Sequence, residues 1–186
     1  MVSDIFPIQP VFKANGHADY TKWTELVKLG AGATFPALTL VSVNASDEVV
    51  NYDTAIHNMA ISVEAANDAV ANVRAGQHIF APSKDRVLVD LIGDSHLIMT
   101  ASYTGGTPVI YDPATHDGQQ FEGAIDPVSG FVFIDLTTAG SGPFTIVRQV
   151  KAPGLPDPTN TSLSTEKRLN ARVEVAVDPT TVFVGF

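Results

Sequence analysis

The sequence of 186 residues contains no cysteine, and this absence excludes several kinds of chemistry. A disulfide framework, a thiolate nucleophile and a cysteine-ligated zinc site all require cysteine. Basic residues are also few, because 11 Lys and Arg stand against 20 Asp and Glu, for a formal net charge of −9. Phosphates of nucleic acids and anionic membrane surfaces attract basic proteins. We therefore expect neither nucleic acid nor membrane as a partner.

Long apolar runs and catalytic motifs are missing as well. No apolar run approaches the roughly 20 residues of a membrane-spanning helix, and the first residues lack the basic and apolar regions of a secretion signal. The sequence has no Gly-x-Ser-x-Gly, no His-Glu-x-x-His and no Gly-x-Gly-x-x-Gly, the motifs of common hydrolases, metalloproteases and dinucleotide-binding proteins. We expect no enzyme, and we assign no catalytic residue, cofactor or metal.

What the sequence does contain indicates an all-β fold. Hydrophobic residues make up 45% and charged residues 17%, with 14 Gly and 12 Pro spread along the chain. Short apolar segments separated by Gly, Pro, Asn and Asp are typical of strands joined by tight turns in a sandwich or barrel. We predict strands within residues 19–29, 35–43, 48–52, 61–63, 86–92, 96–103, 131–136, 144–150 and 169–177.

The domain organisation follows from proline and from a weak internal repeat. Residues 1–16 contain two prolines among apolar residues, so we predict an extended N-terminal arm, packed on its own domain or on a neighbouring subunit. Residues 17–152 form the β domain, with two similar β units at about 30–92 and 93–152 if the repeat is real. For residues 153–186 we predict a Pro-rich linker and outlying C-terminal strands that complete a sheet elsewhere.

The repeat is the frame Tyr-Asp-x-x-x-His, which occurs at Tyr52-Asp53 with His57 and again at Tyr111-Asp112 with His116. An Asp and a His at this spacing could ligate a metal. However, Asp in a turn is already explained by a hydrogen bond to the backbone two residues later. Proline at position 113 also argues against a helix there. We favour a turn used twice, with Tyr buried, Asp closing the turn and His incidental.

The apolar residues near both ends are the candidates for subunit contacts. An exposed apolar end would invite aggregation unless something covers it. We also expect that deletion of residues 1–12 or 178–186 leaves a folded β core. The interface candidates are Ile5, Phe6, Ile8, Val11, Phe12, Trp23, Val182, Phe183, Val184 and Phe186.

The order of features in residues 34–80 resembles that of the head decoration, or capsid cement, proteins of tailed bacteriophages. The resemblance rests on an apolar strand, a short turn, an acidic strand, a small-residue strand and a Gly followed by Phe. These features lie at residues 38–42, 44–47, 49–53, 60–65 and 76–80.

The resemblance implies a β-rich, non-catalytic protein on the capsid surface of a virion. Its partners would be the major capsid protein and further copies of the chain, as a trimer or dimer. A tail or tail-tube component is an alternative of the same class. A β-sandwich module that binds a glycan or a cell-surface ligand is an alternative of another class.

Overall fold

The computed structural model describes residues 5–11, 24–56, 58–66, 86–92 and 96–183. Within these ranges nearly all regular structure is β-strand, and the helices are single short turns. The predicted all-β class is therefore confirmed. None of the helices in these ranges has the length and apolar character needed to cross a membrane.

The first half of the chain forms a closed five-stranded barrel, which we call barrel 1. Its strands pair in the order β2-β4-β3-β5-β6, with β2 parallel to β4 and every other pair antiparallel. The strands are β2 (Thr24–Leu29), β3 (Leu40–Val43), β4 (Glu48–Asn51), β5 (Met59–Ser62) and β6 (Arg86–Leu91).

The second half forms a larger sheet in the order β8-β11-β12-β7-β10-β9, with β1 beside β7. Its strands are β1 (Gln9–Val11), β7 (His96–Ser102), β8 (Gln120–Phe121), β9 (Gly123–Ile125), β10 (Val132–Asp135), β11 (Phe144–Gln149) and β12 (Ala171–Val177).

This second sheet also closes on itself, because its two end strands are one stretch of chain. Only Glu122 separates β8 from β9. Phe121 pairs with Phe144 of β11, while Gly123 pairs with Ile134 of β10. Residues 120–125 therefore join both ends of the sheet, and we call the result barrel 2.

The two barrels have the same strand order and the same strand directions. Numbered along its own half, each barrel pairs its strands first-third-second-fourth-fifth and returns to the first. In both barrels the first and third strands are parallel, and all other pairs are antiparallel. Counterparts are β2 and β7, β3 and β8–β9, β4 and β10, β5 and β11, and β6 and β12.

The register of pairing repeats as well. In barrel 1, Leu29 faces Val49 across the parallel pair, and Lys28 faces Arg86. In barrel 2, Ala101 faces Ile134, and Thr100 faces Arg172. The sequences of the fifth strands agree with this register, since Arg-Val-x-Val begins β6 at residue 86 and recurs in β12 at residue 172.

The two barrels share one continuous packing interface, which explains the composition of β3 and β5. Every residue of both strands is buried. Val41 and Ala60 point into the interior of barrel 1, whereas Leu40, Met59 and Ile61 pack into the apolar cluster of barrel 2. Strands buried on both faces read as continuous apolar runs rather than as alternating ones.

The C-terminal segment differs from the prediction of outlying strands. β12 lies in the middle of its sheet, between β11 and β7. Beyond it, Val182 bridges to Met59 of barrel 1, and the Phe183 N–H donates to the Met59 carbonyl at 2.7 Å. The period-2 pattern of residues 169–177 correctly predicted a strand, β12. The pattern of one strand does not specify which strands pair with it.

A second correction concerns residues 113–116, which form the one-turn helix α1 (Pro113–His116). Proline argues against a helix interior, but it is favoured at the first helical position, where its missing N–H is not needed. Asp112 is the N-cap, and its side chain accepts a hydrogen bond from the Ala114 N–H. Three further short turns are the helix α2 (Thr165–Arg168) and the 3₁₀ helices Leu136–Thr138 and Pro179–Thr181.

Closure of barrel 2 predicts an unequal cost for two neighbouring glycines. Gly140 and Gly142 both have positive φ, 91° and 94°. A Cβ at Gly140 would meet nothing within 4 Å, whereas one at Gly142 would lie 2.3 Å from the Phe121 carbonyl oxygen. We expect Gly140→Ala to lower the free energy of unfolding by about 1 kcal/mol through backbone strain. Gly142→Ala should cost roughly 2 kcal/mol more, since the closing segment must move. Urea denaturation of both variants measures the difference, and equal losses would contradict closure at this point.

Candidate functional site

The two Tyr-Asp frames form the same local turn. The Asp53 carboxylate accepts a hydrogen bond from the Ala55 N–H at 2.9 Å, and the Asp112 carboxylate accepts one from the Ala114 N–H at 3.0 Å. Tyr52 and Tyr111 are both buried. Both tyrosines are thus buried and both aspartates close a turn, as the sequence predicted.

The histidine of the second frame is not incidental. The His116 ring stacks on Tyr111 and packs against Phe121, with 5.8 Å between ring centroids in each case. Its Nδ1 accepts a hydrogen bond from the Asp112 N–H at 2.8 Å, which places the proton of the neutral ring on Nε2. Burial lowers the pKa of His116, so the neutral form is favoured. His57 lies outside the described residues.

The frames do not mark the duplication of the barrels. The first follows the third strand of barrel 1, whereas the second follows the first strand of barrel 2. The tyrosines also make different contacts: the Tyr52 hydroxyl accepts from the Gly123 N–H at 3.3 Å, and the Tyr111 hydroxyl donates to the Asp117 carboxylate. The agreement in sequence between the two frames is therefore a coincidence of turn chemistry.

A cleft of about 690 Å³ lies where barrel 1 meets β9 of barrel 2. Three of its polar side chains, Asn44, Asn51 and Asp53, accept hydrogen bonds from the backbone. Asn51 accepts from the Thr34 N–H, Asn44 accepts from the Ser46 and Glu48 N–H groups, and Asp53 is used in its turn. Across the described ranges, no three His, Asp or Glu side chains gather as metal ligands. The cleft therefore offers shape but few free polar groups. Its lining residues are Ala31, Gly32, Ala33, Asn44, Val50, Asn51, Tyr52, Asp53, Thr54, Ile56, Gly123, Ala124 and Ile125.

The structure separates the ten interface candidates into three groups. Ile5 is half-buried, Phe6 is 43% exposed, and Val11 contributes its backbone to β1. Ile8, Val182 and Phe183 are buried in the chain's own core, so they are not available to a partner. Deletion of residues 1–12 or 178–186 would consequently remove core residues. The remaining candidates lie outside the described residues: Phe12, Trp23, Val184 and Phe186.

The described part of the N-terminal arm, residues 5–11, is bound to both barrels. β1 pairs antiparallel with β7 of barrel 2. The Ile8 N–H donates to the Leu38 carbonyl of barrel 1 at 2.9 Å. The Phe6 N–H donates to the Thr100 hydroxyl at 3.2 Å. The arm is thus an added strand held by main-chain hydrogen bonds.

One buried cation fixes the arm on barrel 2. Arg172 is 4% exposed, and its guanidinium donates to the Thr100 hydroxyl at 3.0 Å and to the Pro7 carbonyl at 3.2 Å. The Phe6 ring covers the guanidinium, with 5.5 Å to the ring centroid. Within the described part of the chain, no carboxylate forms an ion pair with Arg172. The guanidinium is therefore stabilised by neutral hydrogen-bond acceptors, one of which the arm supplies, and burial lowers the pKa of Arg172.

A second polar cluster lies on the same outer face of β12. The Glu174 carboxylate binds His96 Nδ1 at 2.6 Å and the Arg148 Nε–H at 2.7 Å. The hydrogen bond with His96, followed by that with Arg148, holds the pKa of Glu174 below its ordinary value against the effect of burial. The cluster joins β7, β12 and β11 across three neighbouring strands. It is placed to stabilise the sheet.

Comparisons of the chain with protein-family models, with curated proteins and with solved structures each find no match.

Arg172 is expected to control attachment of the arm. Arg172→Met keeps the apolar stem but loses the donors to Thr100 and Pro7, so we expect a loss of about 2 kcal/mol in the free energy of unfolding. Amide hydrogen exchange of β1 should become faster, while exchange in β3 should follow only the global change. Lys167→Met, at an exposed position of α2, is the control. Unchanged protection of β1 would contradict this role.

The Glu174 cluster predicts a pH-dependent contribution to stability. A carboxyl group with a lowered folded-state pKa stabilises the fold above its unfolded pKa, about 4.3 for Glu, and loses this effect as pH falls through the folded value. We expect Glu174→Gln to lower the free energy of unfolding by roughly 2 kcal/mol at pH 7. The difference from the native chain should shrink as pH falls below about 4.3 and through the lowered folded-state pKa of Glu174. Glu166→Gln, at an exposed position, should show no such trend.

Proposed function

We propose that the chain is a structural protein of a virion, which binds the capsid shell as a decoration or cement protein and stabilises it through subunit contacts. The observation that carries this proposal is the attachment of the N-terminal arm. An extended apolar segment is bound as a strand on the outside of a barrel, through main-chain bonds and a buried arginine. Proteins that reinforce an assembly use strand addition of this kind to hold neighbouring chains.

The character of the polar groups supports a structural role. Aspartate and asparagine side chains at the strand ends are used to close turns, as at Asp126, where the carboxylate accepts from the Ser129 N–H at 2.8 Å. After β10 the Asp135 carboxylate binds Thr104 and Thr137. These bonds lower the pKa of Asp135 although burial opposes them. Such turns fix the hairpins in shape and leave these groups engaged.

The hairpin β9–β10 carries the exposed apolar surface that we assign to the partner. Val128 at its tip is 69% exposed, and Ile125, at the end of β9 next to the tip, is 40% exposed. The bonds from Ser129 to Asp126 hold the tip in one conformation. A rigid apolar tip can enter a shallow depression on another subunit at little cost in conformational entropy. The partners proposed are the major capsid protein and further copies of the chain.

Electron cryo-microscopy of the native particle is the decisive test. Density for the chain at lattice points of the capsid shell would agree with the proposal. A stacked ring below the shell would assign the chain to the tail instead. Both structural roles would be contradicted if the chain were absent from particles and, as a monomer, bound to a glycan array.

Val128→Asp tests whether the tip of the β9–β10 hairpin contacts the partner. The substitution places a charge on the apolar tip, so we expect occupancy on purified particles to fall at least about tenfold, which corresponds to about 1.4 kcal/mol. The free energy of unfolding should change by less than about 0.5 kcal/mol, because the side chain is exposed. Val147→Asp, on an outward position of β11 that is 39% exposed, is the control. Equal effects of the two variants would argue against the hairpin as the contact.

A further inference from the structure

Within the described ranges, β2 has no neighbour at the position where its counterpart β7 pairs with β1. In barrel 2, β12 occupies one side of β7, and β10 covers only Ala101 and Ser102 on the other side. β1 fills the rest of that side, opposite His96–Ile98. In barrel 1, β6 occupies one side of β2, and β4 covers only Lys28 and Leu29.

The counterpart of the position of β1 is therefore the first half of β2. We call the backbone of Thr24, Glu25 and Leu26 the β2 edge. It lies on the same side of β2 as β4, beyond the residues with which β4 pairs. No strand in the described ranges lies beside it. In the parallel pairs Leu29 corresponds to Ala101. Three and four residues earlier in each strand, Leu26 corresponds to Ile98 and Glu25 to Leu97.

The backbone of the β2 edge is directed outward. The Gly30 N–H donates to the Val49 carbonyl, so Gly30 faces the side of β4. Backbone groups of a strand alternate in direction from one residue to the next. Leu26 and Thr24 consequently present their N–H and C=O groups to the same side, where an added strand would bind them.

The arginine that binds the arm also has a counterpart at this edge. Arg172 donates to the Pro7 carbonyl of the arm. By the register, Arg86 of β6 takes the place of Arg172, since it faces Lys28 as Arg172 faces Thr100. Arg86 is exposed. It is placed to donate to the carbonyl of a strand on the β2 edge.

We propose that the β2 edge binds an extended segment of another polypeptide as an added strand antiparallel to β2. The arm of the chain is bound to barrel 2, and no other segment in the described ranges occupies the β2 edge, so we assign the occupant to another polypeptide. The site is defined by the register of the barrels, and it holds whether or not the chain decorates a capsid.

The register also specifies one side chain of the occupant. In barrel 2, Pro10 of the arm lies directly opposite Leu97. In barrel 1 the corresponding residue is Glu25. Residues directly opposite each other in an antiparallel pair point to the same face, and opposite charges at such positions attract. The occupant therefore carries Lys or Arg where the arm carries Pro10.

Binding of labelled peptides to the full-length chain tests the proposal. The probe is a synthetic peptide with the sequence of residues 4–12 in which the proline at position 10 is replaced by lysine. The same peptide with proline retained and a scrambled peptide are the comparisons. The chain's own arm stays on barrel 2, because a tethered segment has an effective concentration of the order of millimolar. The free peptide thus finds the β2 edge.

Four results are expected. The lysine peptide binds about threefold more tightly than the proline peptide, and Glu25→Gln in the protein removes this preference. Leu26→Pro, which removes the outward N–H without disturbing the pairing with β6, weakens binding at least about tenfold, whereas Leu26→Ala does not. Arg86→Ala weakens binding of both peptides, and Lys167→Ala leaves it unchanged. The amide of Leu26 exchanges quickly in the free chain and slowly in the complex.

Four outcomes would overturn the proposal. The first is an absence of peptide binding, and the second is binding that Arg86→Ala and Glu25→Gln leave unchanged. The third is protection of the Leu26 amide in the free, monomeric chain, because the chain itself would then cover the edge. The fourth is protection that rises with protein concentration, which would mean that two β2 edges pair with each other.

Discussion

The burial of β3 and β5 on both faces is the constraint on which the structure depends. Their inward side chains fill the interior of barrel 1. On the opposite face, Leu40, Met59 and Ile61 pack into the apolar cluster of barrel 2. Neither barrel can separate from the other without exposing these three large apolar side chains to water, at roughly 1.5–3 kcal/mol each. The cleft, the bound arm and the exposed hairpin all keep fixed positions because the barrels are joined in this way.

Much of the strand content could be read from the sequence, and the closure of the barrels could not. Apolar runs and turn residues located most strands, since these signals are local. The join between β8 and β9 depends on pairs such as Phe121 with Phe144 and Gly123 with Ile134, which no local pattern specifies. The sequence did hold one true mark of duplication, the Arg-Val-x-Val of β6 and β12.

Asp followed by Pro is a local signal that marks a turn in this chain. Such a pair stands at residues 112, 126, 157 and 178. In each case the Asp side chain accepts a hydrogen bond from a backbone N–H two or three residues later. The proline fixes φ at the first turn position, and the carboxylate satisfies a donor that the turn leaves free. For the candidate site, by contrast, the arm and Arg172 lie 165 positions apart in sequence, so only the folded chain brings them together.

The segments near the two ends of the sequence each bind to the barrel that is built mainly from the other half. The N-terminal arm adds a strand to barrel 2, while Phe183, near the other end, is buried in the core of barrel 1. During synthesis the arm precedes β7, with which it pairs, and precedes by a longer interval β12, which carries Arg172. The strands of barrel 1 are translated early, but its apolar core also includes Phe183, which is translated late. A chain truncated before β12 would therefore lack Arg172, which holds the arm, and a chain truncated before Phe183 would lack an apolar side chain of the barrel 1 core.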